Sequence, residues 1–135
     1  MNESSTSNSA LLLGRVLMSA IFILAGFAKL TAAAATQAMF AKMGLPVPEL
    51  AWAVTVAIEL VGGLALLLGI ATRPVGVLLG VWCIATALVA HSNFGDPQMR
   101  IHFMKNLAMA GGFVYVAVLG AGAFSIDAWL KRRKA

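Results

Sequence analysis

The chain has 135 residues, a length that fits one domain. Hydrophobic residues make up 61% and charged residues 11%, where ordinary globular chains run at about 45–50% and about 25%; a soluble fold of this composition could not cover its surface, so the bilayer is the solvent. The net charge of +5 does not point to nucleic acid, because four basic residues crowd the chain end at Lys131, Arg132, Arg133 and Lys134, the pattern of a topology signal and a contact for anionic lipid.

Residues 1–9, MNESSTSNS, are small and polar, and a disordered tail is expected there. Ala10 to Leu30 then forms the first apolar span, since about 20 helical residues cross the roughly 30 Å of hydrocarbon. Its leader carries Glu3 and no basic residue before Arg15, so it reads as a retained span and not a cleaved signal. In the loop from Thr31 to Glu49, Met39, Phe40 and Met43 share one helical face and predict a short interfacial helix. Gly44-Leu45-Pro46-Val47-Pro48 breaks it and leads into span two, Leu50 to Ile70.

A tight Ala71-Thr72-Arg73-Pro74 turn precedes span three, Val75 to about His91. The stretch from Ser92 to His102, with Asn93, Gly95, Asp96 and Pro97, reads as a surface loop. Span four runs from near Phe103 to near Phe124. In lipid every backbone N–H and C=O must pair within its own segment, so all the spans are helices. The expected fold class is therefore all-α: an integral membrane bundle of four transmembrane helices over residues 10–127, followed by a basic tail, 128–135. Gly76 with Gly80 and Ala108 with Gly112 supply small residues at four-residue spacing for close packing. Four crossings put both termini on one face. That face holds Arg73 and the tail cluster against Lys29, Lys42, Arg100 and Lys105 opposite, which predicts cytoplasmic termini.

Glu59 stands roughly 14 Å along span two at about 1.5 Å per residue, near mid-membrane. A carboxylate facing lipid there costs roughly 2.5–3.5 kcal/mol, so it is expected to face inward, with Ala51, Thr55 and Gly63 on its side. Lys29, His91, His102, Lys105 and Asn106 fall at the outer ends of the other spans. Lys105 is the expected counter-ion, with Lys29 as the alternative, and Tyr115 near the middle of span four is an expected donor. A pair with either lysine keeps Glu59 ionised and orients helices; without one, desolvation favours the protonated acid. Both states stay open at this level. The two histidines lack metal-ligand spacing such as HxxxH or ExxH, and no metal is expected. The lone Cys83 excludes a disulfide or a CxxC couple and reads as a small buried hydrophobe. Arg15 and Lys29 are expected to snorkel toward the two interfaces.

The stretches LLLGRVLMSAIFILAGFAKL, AIELVGGLALLLGIATRPVG and MKNLAMAGGFVYVAVLGAGAFSID, in that order and spacing, resemble the DoxX family of small four-helix bacterial membrane proteins over nearly all of Leu11 to Asp127. The resemblance implies a multi-pass protein of the bacterial plasma (inner) membrane, linked to quinone-coupled sulfur oxidation and to oxidoreductase assemblies. It places Lys29, Glu59, Lys105 and Asn106 on the family's recurring polar positions. The chain carries no haem-ligating histidine pair within its spans, no dinucleotide fingerprint and no cysteine couple. The expected function is thus an accessory or quinone-binding membrane subunit beside an oxidoreductase partner, not a stand-alone enzyme. The competing readings are a structural module, and a small transporter unit that would need a homo-oligomer.

Overall fold

A computed structural model describes residues 3–134. Helix α1 covers Glu3–Thr31 and α2 covers Ala33–Lys42. The second span is built from α3 (Pro48–Val56), one π-helical turn (Ala57–Val61) and α4 (Gly62–Leu68). Helices α5 (Thr72–Ala90), α6 (Pro97–Leu119) and α7 (Ile126–Lys134) complete the chain. Among the described residues, four helical stretches are long and apolar enough to cross a membrane. The all-α, four-span architecture is the expected one, and α2 is the short helix expected in the first loop.

Several boundaries move, each for a local reason. The first helix starts at Glu3, so residues 3–9 continue span one where a disordered tail was expected; Met1 and Asn2 lie outside the described residues. Asn8 supports that extension by accepting a hydrogen bond from the Ala123 amide at 2.8 Å. Span four begins six residues before the expected Phe103. Asp96 caps it by accepting from Gln98 N at 2.8 Å, and Pro97 occupies the first turn, where its missing N–H costs nothing. It ends at Gly120, whose positive φ of 76° turns the chain. The buried face of α2 is Thr36 and Phe40, while Met39 and Met43 stay exposed. The basic tail forms α7, where Arg133 stacks over the Trp129 ring at 4.4 Å.

The spans pack as two pairs. Helix α1 lies along the second span, and α5 lies along α6. Gly76 and Gly80 of α5 receive Val116 and Phe113 of α6. This is the use expected of small residues where lipid supplies no hydrophobic drive. Phe22, Leu66, Leu79, Cys83 and Phe113 form the buried core. The Phe22 and Phe113 rings meet edge-to-face at 5.5 Å and join the two pairs. Around this narrow core, large apolar side chains such as Leu17, Leu24, Val81 and Val118 face outward, which is stable only in a hydrocarbon solvent.

Candidate functional site

Glu59 faces inward and is 7% exposed. It sits in the π turn of span two. This is a rare helical form that recurs at functional sites. Lys29 Nζ reaches Glu59 Oε2 at 2.6 Å, and the pair is only partly open to its surroundings. From α5, the Trp82 indole N–H donates to Glu59 Oε1 across a longer 3.4 Å. The carboxylate is thus held by one cation and one neutral donor from two different spans.

The approach of Lys29 depends on a glycine three residues earlier. A Cβ on Gly26 would lie 2.7 Å from Leu60 N, so only glycine lets span one touch the second span's backbone at this level. Gly63 repeats the contact one turn on, against Phe22 and Ile23. The C-terminal end of α1 is fixed as well: Trp52 Nε1 donates to the Lys29 carbonyl at 2.8 Å, and so satisfies one of the carbonyls a helix end leaves orphaned. Thr55, on the same side as Glu59, is buried and returns its hydroxyl to Ala51 O at 2.7 Å.

The polar residues proposed from the sequence divide into groups. Lys29 and Glu59 form the pair. Lys105 does not meet Glu59; it is exposed on α6, beside a shallow groove lined by Arg100, Ile101, Met104 and Ala108. Tyr115 is 70% exposed on the outer face of α6 and does not reach the carboxylate. The reason is rotational, because α6 turns Phe113 inward and its neighbours outward. Asn106 pairs with α5: its Oδ1 lies 3.2 Å from the Thr86 hydroxyl, and its Nδ2 donates to His102 O at 3.0 Å. His91 stacks on His102 with ring centroids 5.0 Å apart. One face of α5 links the groups, since Trp82 contacts Glu59 and Thr86 contacts Asn106.

A second charged cluster lies at the opposite end of the bundle. Arg15, expected to snorkel, is 2% exposed. Its guanidinium donates to Leu66 O and Leu67 O at 3.5 and 3.3 Å, and to Phe124 O. Leu66 and Leu67 carry the last carbonyls of α4, so the cation sits at the negative end of that helix. Gly69, with φ of 69°, makes room, since a Cβ there would collide with Arg15.

Beside it, Asp127 accepts from Ala71 N at 2.8 Å and Thr72 N at 2.9 Å, while its own amide donates to Gly69 O. It therefore caps α5 from a distant part of the sequence. Partial burial alone would raise the pKa of Asp127. The amides of Thr72 and Ala71, the neighbouring Thr72 hydroxyl and Lys131 outweigh burial and hold the pKa below its usual value. The Thr72 hydroxyl acts only through its proximity, because it makes no hydrogen bond of its own.

Comparison with known proteins gives one consistent answer. The DoxX family model matches residues 10–92. Inner membrane protein YqjF of Escherichia coli (strain K12) is 39% identical over 122 residues, covering 90% of this chain and 92% of the relative. Inner membrane protein YphA of the same organism is 37% identical over 123 residues, covering 87% of each. No solved structure matches the chain.

Proposed function

The chain belongs to the DoxX family, and on that premise we propose that it is an inner-membrane subunit whose Lys29–Glu59 pair receives a small polar headgroup of the quinone class. It works beside an oxidoreductase partner that holds the redox centre. The observation that carries this reading is the placement of an ion pair and an indole donor in a π turn within a span. A quinone carbonyl gains negative charge as it is reduced, and then draws on a cation and a proton-bearing group. The Lys29 ammonium is both cation and proton carrier, the Glu59 carboxylate holds it in place, and Trp82 adds a flat apolar wall with an N–H. Ionisable groups inside a bilayer carry an energetic penalty and mark ligand or proton sites more than surface ones do.

The orientation follows the same reading. Both termini lie on the cytoplasmic side, with basic α7 and its Trp129–Arg133 stack against the headgroups. The Lys29–Glu59 pair then opens toward the outer half of the membrane. A reporter fused at either terminus should be active only as a cytoplasmic protein.

The test of the site is a titration of purified protein in nanodiscs with a short-chain quinone, read by tryptophan fluorescence. Saturable quenching is expected, with affinity lowered at least about tenfold in Glu59→Gln and Trp82→Phe. Absence of saturable quenching, or equal quenching in both variants, overturns the reading.

One observation favours a second reading. The ion pair forms three residues from the Gly26–Leu60 backbone contact, where it would also fix how spans one and two pack. If that is its whole role, replacing Lys29 and Glu59 together by apolar residues leaves cellular function intact.

A further inference from the structure

The loop between α5 and α6 gathers three donors that the quinone reading does not use. His91 closes α5, Met99 lies in the first turn of α6, and His102 follows one turn on. His91 Nδ1 lies 3.5 Å from Met99 Sδ. The His91 and His102 rings stack at 5.0 Å with 30° between their planes. All three side chains are half-buried and lie where the end of α5 faces the start of α6. We propose that His91, Met99 and His102 form a binding site for a soft monovalent metal ion, Cu(I) or its analogue Ag(I).

Three observations carry this. The first is distance. A metal about 2.0 Å from an imidazole nitrogen and about 2.3 Å from sulfur, with an angle of about 110°, spans a nitrogen-to-sulfur chord of about 3.5 Å, the separation already present between His91 and Met99. The second is ligand softness: thioether sulfur with imidazole selects Cu(I) over the harder divalent ions.

The third is charge. Among the described residues no group of three His, Cys, Asp or Glu gathers to hold a metal. The loop's own carboxylate, Asp96, is engaged as the cap of α6. Arg100 and Lys105 line one groove along the first three turns of α6. A neutral donor set beside two cations disfavours a dipositive ion more than a monopositive one. To complete the set, His102 has to turn out of its stack with His91.

The test is competition for Cu(I) between the purified, reduced protein and a chromophoric Cu(I) chelator. The wild type should withdraw one equivalent. His91→Ala, His102→Ala and Met99→Leu should each weaken binding at least about tenfold, since even outer-sphere changes cost 10–100-fold. Met104→Leu and Cys83→Ser should leave it unchanged, which separates this site from adventitious binding at other sulfurs. Ag(I) added to wild-type protein labelled at its methionine methyls should move the Met99 resonance ahead of the other methionines, a readout that requires no variant to fold. Failure to compete with the chelator, or loss of binding in Met104→Leu or Cys83→Ser in place of the three ligand variants, overturns the proposal. Quinone titration of the same variants is independent: it should be unchanged in Met99→Leu, so failure of one reading leaves the other standing.

Discussion

Gly26 and Leu60 touch backbone to backbone: a Cβ at position 26 would lie 2.7 Å from Leu60 N and 3.0 Å from Leu60 Cα. No side chain rotation relieves a clash with main-chain atoms. Gly26→Ala is expected to push span one off the second span and destabilise the protein by about 1–3 kcal/mol, read as a lower midpoint in a denaturing-detergent titration. Gly14, which has nothing near the same position, should accept alanine without loss.

Lys29→Met leaves Glu59 with only the Trp82 N–H. Breaking a buried pair from one side costs about 3–5 kcal/mol, and the lower end is expected because the carboxylate can take up a proton instead. Adding Glu59→Leu to Lys29→Met should recover most of that loss. A double-mutant cycle of thermal midpoints checks it; additive losses would mean that the two side chains do not act as a pair.

The Arg15 guanidinium spreads its donors over the carbonyls of Leu66, Leu67 and Phe124. An ammonium is a point donor and cannot reproduce that fork. Arg15→Lys should therefore destabilise by about 1.5–3 kcal/mol, and Arg15→Met by more. The loop after span four should loosen with it, which faster tryptic cleavage after Lys131, within α7, would report.

Asp127 gives the fold an acid limb. Its folded pKa lies below the ordinary 3.8, so its contribution is present above that value and disappears as pH falls through the lower folded value. Asp127→Asn should lose about 1 kcal/mol at neutral pH, as expected for a weakened helix cap. It should also flatten the decline in thermal midpoint on acidification, measured by circular dichroism between about pH 7 and pH 3.

Ala71 holds a positive φ of 45° without being glycine, a conformation that costs an L residue roughly 1–2 kcal/mol. Its amide bond to Asp127 needs no side chain. Ala71→Gly should therefore stabilise by a fraction of that figure, seen as a higher melting temperature in detergent.

The span count was legible because apolar runs of about 20 residues match the thickness of a bilayer, and the inward face of Glu59 because a carboxylate at mid-membrane has nowhere else to point. Which cation meets it was not legible in the same way. Lys29 and Lys105 both stand near the outer ends of their spans, and the choice depends on which helices are neighbours and how each is rotated. Helix α6 packs mainly on α5 and shows Lys105 and Tyr115 outward, while the glycines at 26 and 63 bring α1 against Glu59. The π turn left no compositional trace, since one extra residue in a helical turn changes no hydrophobic pattern. Trp82 did not stand out in the sequence, because its N–H matters only once a carboxylate faces it. His91 is separated by a loop from Met99 and His102, so the approach of the three side chains did not show in the sequence. Arg15 and Asp127 act on groups 51 or more residues away, beyond the reach of any local pattern.

The cap that Asp127 places on α5 also has a consequence in time. The first amides of span three, at Ala71 and Thr72, wait for an acceptor 56 and 55 residues further along. During synthesis those residues enter the bilayer with that end of the helix bare, and the joint between spans two and three stays unlatched until Asp127 has been made. A chain stopped before Asp127 would hold all four crossings and still lack its clasp.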